Sequence, residues 1–352
     1  MTSADSERAV PPVATGTGAV LLLGGYGAVG RAAAAALVDD GTPVLVAGRD
    51  GDRAAALAER LGDRATGRAL DAADDAGLSR VLPEVSAIVM CVERNNRPIA
   101  QLCIDRRVPF VDVSATSTVV ASVAALDRAA RRNGTSSLIS VGLAPGVSNL
   151  LARAVHDEQP DERAIDLTLL FGTAGDHGAD SRRWILDGLA QSPGDRRPKL
   201  VDVLGAGRRR AHPFPFSDQH TLAEALDATV TTRICFESRS VTSALFALRR
   251  RPQLSERPTV RALLEGAMRS VPFGSDRFVI QASASRPHGM VHAVTGNGEC
   301  DATGRVAAAA VQLLLAGVVP PGVHHLDQVV DLGFLDGLSD VIEVHRSGPP
   351  RS

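Results

Sequence analysis

Hydrophobic positions along the chain keep one rhythm up to about Gly142 and another after about Asn149. In the first part, short apolar runs alternate with helical stretches. The runs are Ala19–Leu23, Val44–Arg49, one ending near Leu70-Asp71, Ala87–Cys91, Phe110–Val113 and Leu138–Val141. The helical stretches are Arg31–Leu37, Asp52–Leu61, Asp74–Leu82 and Pro98–Arg106. Unbroken apolar runs read as strands buried on both faces, and their alternation with helices predicts a doubly wound parallel α/β sheet. After Asn149, strand-like runs at Ile165–Phe171, Lys199–Leu204, Val230–Phe236 and Arg277–Ala284 are separated by longer loops. That pattern predicts a mostly antiparallel sheet with one or two helices. Thr303–Leu315 reads as a long apolar helix ending at Gly317 and Pro320-Pro321. Residues 1–16 are polar, contain Pro11-Pro12 and lack an apolar core, as expected of a disordered tail and not of an export signal. The expected organisation is a tail (1–16), a first α/β domain (17–148), a second domain (149–302) and a C-terminal helix and segment (303–345).

The junction of the first strand and first helix carries the most chemistry. Gly25, Gly27 and Gly30 have the spacing G-x-G-x-x-G, and with Tyr26, Ala28 and Val29 they lie between a buried strand and a helix. The first glycine allows a tight turn, the second lets the backbone approach a pyrophosphate, and the third lets the helix pack on the strand. A Rossmann-type dinucleotide-binding domain is therefore expected. The second strand ends about 20 residues later at Arg49, where an NAD-binding chain usually has Asp or Glu. A guanidinium there favours the 2′-phosphate of NADP. Arg53 reads either as a second contact or as a solvated arginine on the next helix. Ligands of such sheets lie beyond the carboxyl ends of the strands, which makes Asp71, Cys91, Val92, Ser114 and the loop Gly142–Gly146 further cofactor neighbours.

Composition narrows the class. The chain of 352 residues is 44% hydrophobic and 22% charged, enough for two globular domains. A net charge of -2 argues against a general nucleic-acid binder, so Arg208-Arg209-Arg210 and Arg249-Arg250-Arg251 read as solvated loops. Cys91, Cys103, Cys235 and Cys300 have neither C-x-x-C spacing nor histidines at metal-ligand intervals, as in a cytoplasmic protein with reduced thiols and no metal. No apolar run reaches membrane-spanning length.

These motifs resemble the saccharopine dehydrogenase family in its short, NADP-binding form. The resemblance is carried by Gly25-Tyr-Gly-Ala-Val-Gly30, Ala47-Gly48-Arg49, Cys103–Val113 and Gly142-Leu-Ala-Pro-Gly-Val-Ser-Asn-Leu150. In the second half it is carried by Gly175-Asp-His-Gly178 with Trp184, by Phe216–Leu222, and by the helix leading to Gly322. It covers most of residues 17 to 330. It implies a Rossmann domain, an α/β substrate and dimerisation domain, a C-terminal segment that packs back on the first domain, and a homodimer. It also implies hydride exchange between NADP(H) and a carbon–nitrogen bond joining an amino acid to a keto acid or aldehyde. The chain departs from the family in its single lysine, Lys199, which falls in a Pro- and Arg-rich loop, and in the charged stretch Cys91-Val-Glu-Arg-Asn-Asn96.

Hydride transfer to such a bond needs one group that gives or takes a proton. His177, between Asp176 and Gly178, reads either as that group or as part of a helix-capping turn. Asp218, in Pro215-Phe-Ser-Asp-Gln-His220, reads as a substrate contact or, like Ser217, as an N-cap. Arg239, after the run Ile234–Phe236, is a candidate clamp for a substrate carboxylate, in competition with Arg182, Arg183 and Arg233. His288, His292, His324 and His325 read as loop histidines. The activity expected from the resemblance is that of an NADP-dependent oxidoreductase reducing an imine of an amine and a carbonyl partner, or the reverse. A reductase of an activated C=C bond and a non-catalytic NADPH-binding sensor stay open.

Overall fold

A computed structural model describes residues 18–173, 179–190, 197–249, 257–269, 274–284 and 291–347. Seven strands form the first sheet: β1 (Ala19–Leu23), β2 (Val44–Gly48), β3 (Ala65–Ala69), β4 (Val85–Met90), β5 (Phe110–Asp112), β6 (Ser136–Ile139) and β13 (Gly322–His325). Their order is β13-β6-β5-β4-β1-β2-β3, and every pairing is parallel. The unbroken apolar runs follow from burial on both sides. Val20 and Leu22 of β1 face one core with Val46 and Val89, and Leu21 and Leu23 face a second with Ile88 and Met90. Helices α1 (Ala28–Asp39), α2 (Gly51–Leu61), α3 (Asp75–Val81), α4 (Asn96–Arg106), α5 (Ser117–Ala124) and α6 (Asp127–Asn133) connect these strands.

A short helix, α7 (Ser148–Glu158), leads into the second sheet. Its strands are β7 (Ala164–Phe171), β8 (Lys199–Val203), β9 (Gly207–Pro213), β10 (Thr229–Phe236), β11 (Arg277–Ala284), β12 (Val291–Asn297) and β14 (Ile342–Ser347). The order is β14-β12-β11-β7-β10-β9-β8, with β7 and β10 parallel and the other pairs antiparallel. Among the described residues four helices accompany it where the sequence suggested one or two: α8 (Ala179–Ala190), α9 (Asp218–Leu226), α10 (Arg239–Leu248) and α11 (Pro258–Arg269).

Three readings need correction. Arg208-Arg209-Arg210 is not a loop but part of β9, whose Ala211 is fully buried while Arg208 and Arg210 are exposed. His292 belongs to β12, and His324 and His325 to β13; short strands without an apolar run leave no periodic signal. Lys199 opens β8 and ion-pairs with the buried Asp166, which Arg233 also contacts.

The last long helix, α12 (Glu299–Leu315), starts four residues before the expected Thr303, with Glu299 and Asp301 in its first turn, where the helix dipole favours acids. It packs on α1 through small residues: a Cβ on Gly304 would lie 2.5 Å from Ala32 Cβ and 2.7 Å from Val29 O. The chain beyond it divides, with β13 extending the first sheet along β6 and β14 joining the edge of the second along β12. No helix among the described residues is long and apolar enough to cross a membrane.

Candidate functional site

The parallel strands of the first sheet bring their carboxyl ends to one edge. After β1 the chain turns through Gly24–Gly27 into α1. Gly30 lies so close to this turn that a Cβ would fall 2.5 Å from Gly24 O and 2.7 Å from Gly25 Cα. Gly27 is the N-cap of α1 and offers no side chain to the N–H groups of Ala28, Val29 and Gly30. A Cβ on Gly27 would meet only Gly24 O, at 3.1 Å, so this position faces open space. Uncapped N–H groups at the start of a 12-residue helix, with its dipole behind them, fit a dinucleotide pyrophosphate.

Next to the turn, β2 ends at Gly48, followed by Arg49. The Arg49 side chain is exposed and has no hydrogen bond or ion pair among the described residues. Beyond β3, Asp71 accepts the N–H of Ala73 at 3.0 Å and lies 3.4 Å from Arg94 Nε. Beyond β4, Val92 packs over Gly24, and the Cys91 thiol is pushed up to about 12 by burial and by the charge of Asp112, which keeps it protonated at neutral pH. The charged stretch that follows has local work. Glu93 accepts the N–H groups of Ala115 and Thr116, both at 2.9 Å, and the Thr116 hydroxyl at 2.5 Å, thereby capping α5.

At the end of β5 stands a residue that was not singled out from sequence. Asp112 is 1% exposed, and its two oxygens accept Asn96 Nδ2 at 2.9 Å and the N–H of Ser114 at 2.8 Å. Burial pushes this carboxyl up to about 6 against the pull of those hydrogen bonds. Asn96 also donates to Ser114 Oγ at 3.1 Å, which turns Ser114 inward. The available signal was a lone carboxylate inside the apolar run Phe110–Val113.

From the end of β6 the chain passes through Ser140 to Val147 and enters α7, which ties the two sheets together. Ser148 Oγ donates to Asp218 Oδ2 at 3.0 Å, and Thr232 Oγ1, on β10, donates to Asp218 Oδ1 at 2.7 Å. Asp218 is completely buried, and burial pushes its carboxyl up to about 6. Ser217, not Asp218, occupies the N-cap of α9, and it makes no side-chain capping bond. Beside this tie, Asn149 Nδ2 and Arg153 reach the buried Asp327. His325 Nδ1 meets Ser140 Oγ at 2.8 Å; burial lowers the imidazole below its ordinary value, and the charge of Asp327 opposes that shift.

Two catalytic candidates remain, His177 and Arg239. His177 lies outside the described residues, as do Gly175, Asp176 and Gly178. The helix that follows them is anchored by Trp184, whose ring centroid is 5.0 Å from that of Phe214 and 4.8 Å from that of Phe216. Arg239 is exposed at the start of α10 and donates to the carbonyl of Arg208 at 3.3 Å. The strand from Thr232, which holds Asp218, to Phe236 spans about 13 Å, so Arg239 is not brought next to Asp218.

Residues 20–138 match the family model of the saccharopine dehydrogenase NADP binding domain. The whole chain is similar in fold to the apo saccharopine dehydrogenase (L-Glu forming) of Saccharomyces cerevisiae. The TM-score is 0.61 and the identity 15%, over 94% of this chain and 100% of that one. A 3-ketoacyl-(acyl-carrier-protein) reductase from Brucella melitensis is similar over 35% of this chain and 75% of its own, with 15% identity and a TM-score of 0.29. No curated protein sequence matches the chain. The first domain thus matches an NADP-binding domain of the saccharopine dehydrogenase family, and the chain as a whole shares the fold of a saccharopine dehydrogenase.

Proposed function

We propose that this saccharopine dehydrogenase-like NADP oxidoreductase reduces an imine formed between an amine or amino acid and a carbonyl partner, or runs the reverse oxidation. Asp112 is the observation that carries the reading. It is a buried carboxylate at the cofactor edge of the sheet, and its hydrogen-bond partners Asn96 and Ser114 are neutral, so no ion pair cancels its charge. An imine accepts hydride most readily as a protonated, cationic iminium, which a fixed anion in a dry site favours. Reduction of an activated C=C bond passes instead through an enolate-like anion, which the same carboxylate disfavours. NADPH supplies the hydride when bound at the glycine turn. His177 handles the proton of the imine nitrogen or orients the substrate, Asp218 positions α7 against β10, and Arg239 clamps a substrate carboxylate. A homodimer in the cytoplasm belongs to the same reading, supported by the resemblance and by four free cysteines.

The test is consumption of NADPH by the full chain. It is expected only when amine and carbonyl are both supplied; steady consumption with an enone alone overturns the reading. His177→Ala is expected to lower turnover by roughly 10²- to 10⁴-fold at nearly unchanged NADPH affinity. Full turnover in that variant would remove His177 from the site.

A further inference from the structure

Tyr26 stands in the middle of the glycine turn, where holding a pyrophosphate calls for no bulky side chain. Its ring lies across the end of β2. A Cβ on Gly48 would fall 2.8 Å from Tyr26 Cζ, so glycine is required there because the ring fills that space. Tyr26 Oη accepts the N–H of Asp50 at 3.2 Å. The guanidinium of Arg53, in the first turn of α2, stacks on the ring with its Cζ 4.5 Å from the centroid. Arg53 is therefore not a freely solvated arginine on an outer helix face. Asp50, the carboxylate next to Arg49 in the chain, is already engaged: it accepts the N–H of Arg53 at 3.0 Å and caps α2. Arg49, one residue earlier, is exposed and unpaired among the described residues.

We infer that Tyr26 is a positioning residue for cofactor discrimination: its ring holds Arg53 on the same turn as Arg49, so that two guanidiniums meet the 2′-phosphate of NADP. The inference rests on the NADP-binding assignment of the first domain and adds the device that enforces it. An exposed arginine samples many rotamers, and ordering it costs affinity when the ligand arrives. Stacking on the tyrosine restricts it beforehand. A phosphate dianion then gains charge-assisted hydrogen bonds from both arginines, whereas NADH, with no group there, gains nothing.

Calorimetric titration of the full chain with NADPH and with NADH tests this. Arg53→Ala and Tyr26→Leu are each expected to weaken NADPH by about tenfold while changing NADH by less than about twofold. Tyr26→Phe keeps the stack and is expected to stay within about twofold of the wild type for both cofactors. The double variant Tyr26→Leu/Arg53→Ala is expected to bind NADPH no more weakly than either single variant, because the two residues act as a unit. Equal weakening of both cofactors by Tyr26→Leu, or unchanged NADPH affinity in Arg53→Ala, overturns the inference. Arg53→Ala alters only an exposed side chain and remains decisive if Tyr26→Leu does not fold. A wild type with no preference for NADPH would overturn the NADP assignment itself and this inference with it, whereas a wild-type preference that is undiminished in the variants overturns the inference alone.

Discussion

Asp112 and Asp218 are both shut away from water, one at the cofactor edge of the first sheet and the other at the tie between the two sheets. Burial pushes both carboxyls up to about 6. Their partners differ in balance, although Asp112 also has the Ser114 hydroxyl and Asp218 the Gln219 N–H. Both oxygens of Asp112 receive obligate donors, an amide NH2 and a backbone N–H, neither of which can accept a proton in return. The oxygens of Asp218 receive the hydroxyls of Ser148 and Thr232, which can turn to donate or to accept. Obligate donors select a group with two acceptors and so favour the carboxylate; hydroxyls serve the carboxylate and the neutral acid alike. The first arrangement favours a charge at the carboxyl end of β5. The second joins α7 to β10 through hydroxyls that can serve either protonation state.

The largest effect should come from breaking the first arrangement. In Asp112→Asn one amide nitrogen must face either Asn96 Nδ2 or the Ser114 N–H, setting donor against donor in a buried site. A loss of about 1–3 kcal/mol of stability is expected. Removing the charge is also expected to lower imine reduction by about 10²-fold, while NADPH affinity holds. Melting curves and turnover on the same preparation measure both. A variant that melts and turns over like the wild type would show that Asp112 is a spectator.

Much of the first domain was legible because a strand covered on both faces must be largely apolar; β1 and β2 satisfy that condition fully, and β4, β5 and β6 do so apart from Ser86, Asp112 and the pair Ser136-Ser137. The strand β13 was not. Gly322-Val-His-His325 has one apolar side chain and is held at the sheet edge by main-chain pairing with β6. The arginines of β9 disguised it for a related reason, since only Ala211 and Pro213 of that strand are buried. The glycine turn could be read because its geometry depends on residues close in sequence. The roles of Asp112, Tyr26 and Lys199 depend on partners brought close only by the fold: Asn96, 16 residues from Asp112, the Gly48–Arg53 turn for Tyr26, and Asp166, 33 residues from Lys199. The charge of Cys91–Asn96, which looked out of place, is used within a few ångströms, with Glu93 capping α5 and Asn96 holding Asp112.

The next effect in size is a dependence of stability on pH. Asp112 and Asp218 have folded values near 6 against 3.8 when unfolded. Between about pH 4 and about pH 6 the folded state therefore binds more protons than the unfolded state, and stability falls as pH rises through that window. Each shift corresponds to about 3 kcal/mol over the whole window. Asp166 runs the other way. Burial raises it, but the hydrogen bond from Lys199 and the charge of Arg233 outweigh burial and hold it low, so its contribution is lost on acidification. The informative quantity is therefore the wild type minus Asp218→Asn, measured by denaturant melts across the window. Parallel curves for the two proteins would mean that Asp218 does not titrate with folding.

The smallest effect is expected from Asp218→Asn at neutral pH, and it tests the contrast most sharply. The amide oxygen can accept the Thr232 hydroxyl, as Asp218 Oδ1 does now at 2.7 Å, while the amide nitrogen donates to Ser148 Oγ once that hydroxyl turns. No donor faces a donor, no cavity opens, and a buried charge disappears, so stability should change by less than about 1 kcal/mol, in either direction. Turnover should stay within about twofold of the wild type if Asp218 only ties α7 to β10. Ser148→Ala and Thr232→Val each leave one oxygen of a buried carboxylate without its donor and should cost more than Asp218→Asn, about 1–3 kcal/mol apiece. Thermal melts of the three variants side by side give the order. If Asp218→Asn proved the most damaging, or abolished turnover in a folded protein, the carboxylate would be needed as an anion at the domain junction too, and the distinction between the two buried acids would fail.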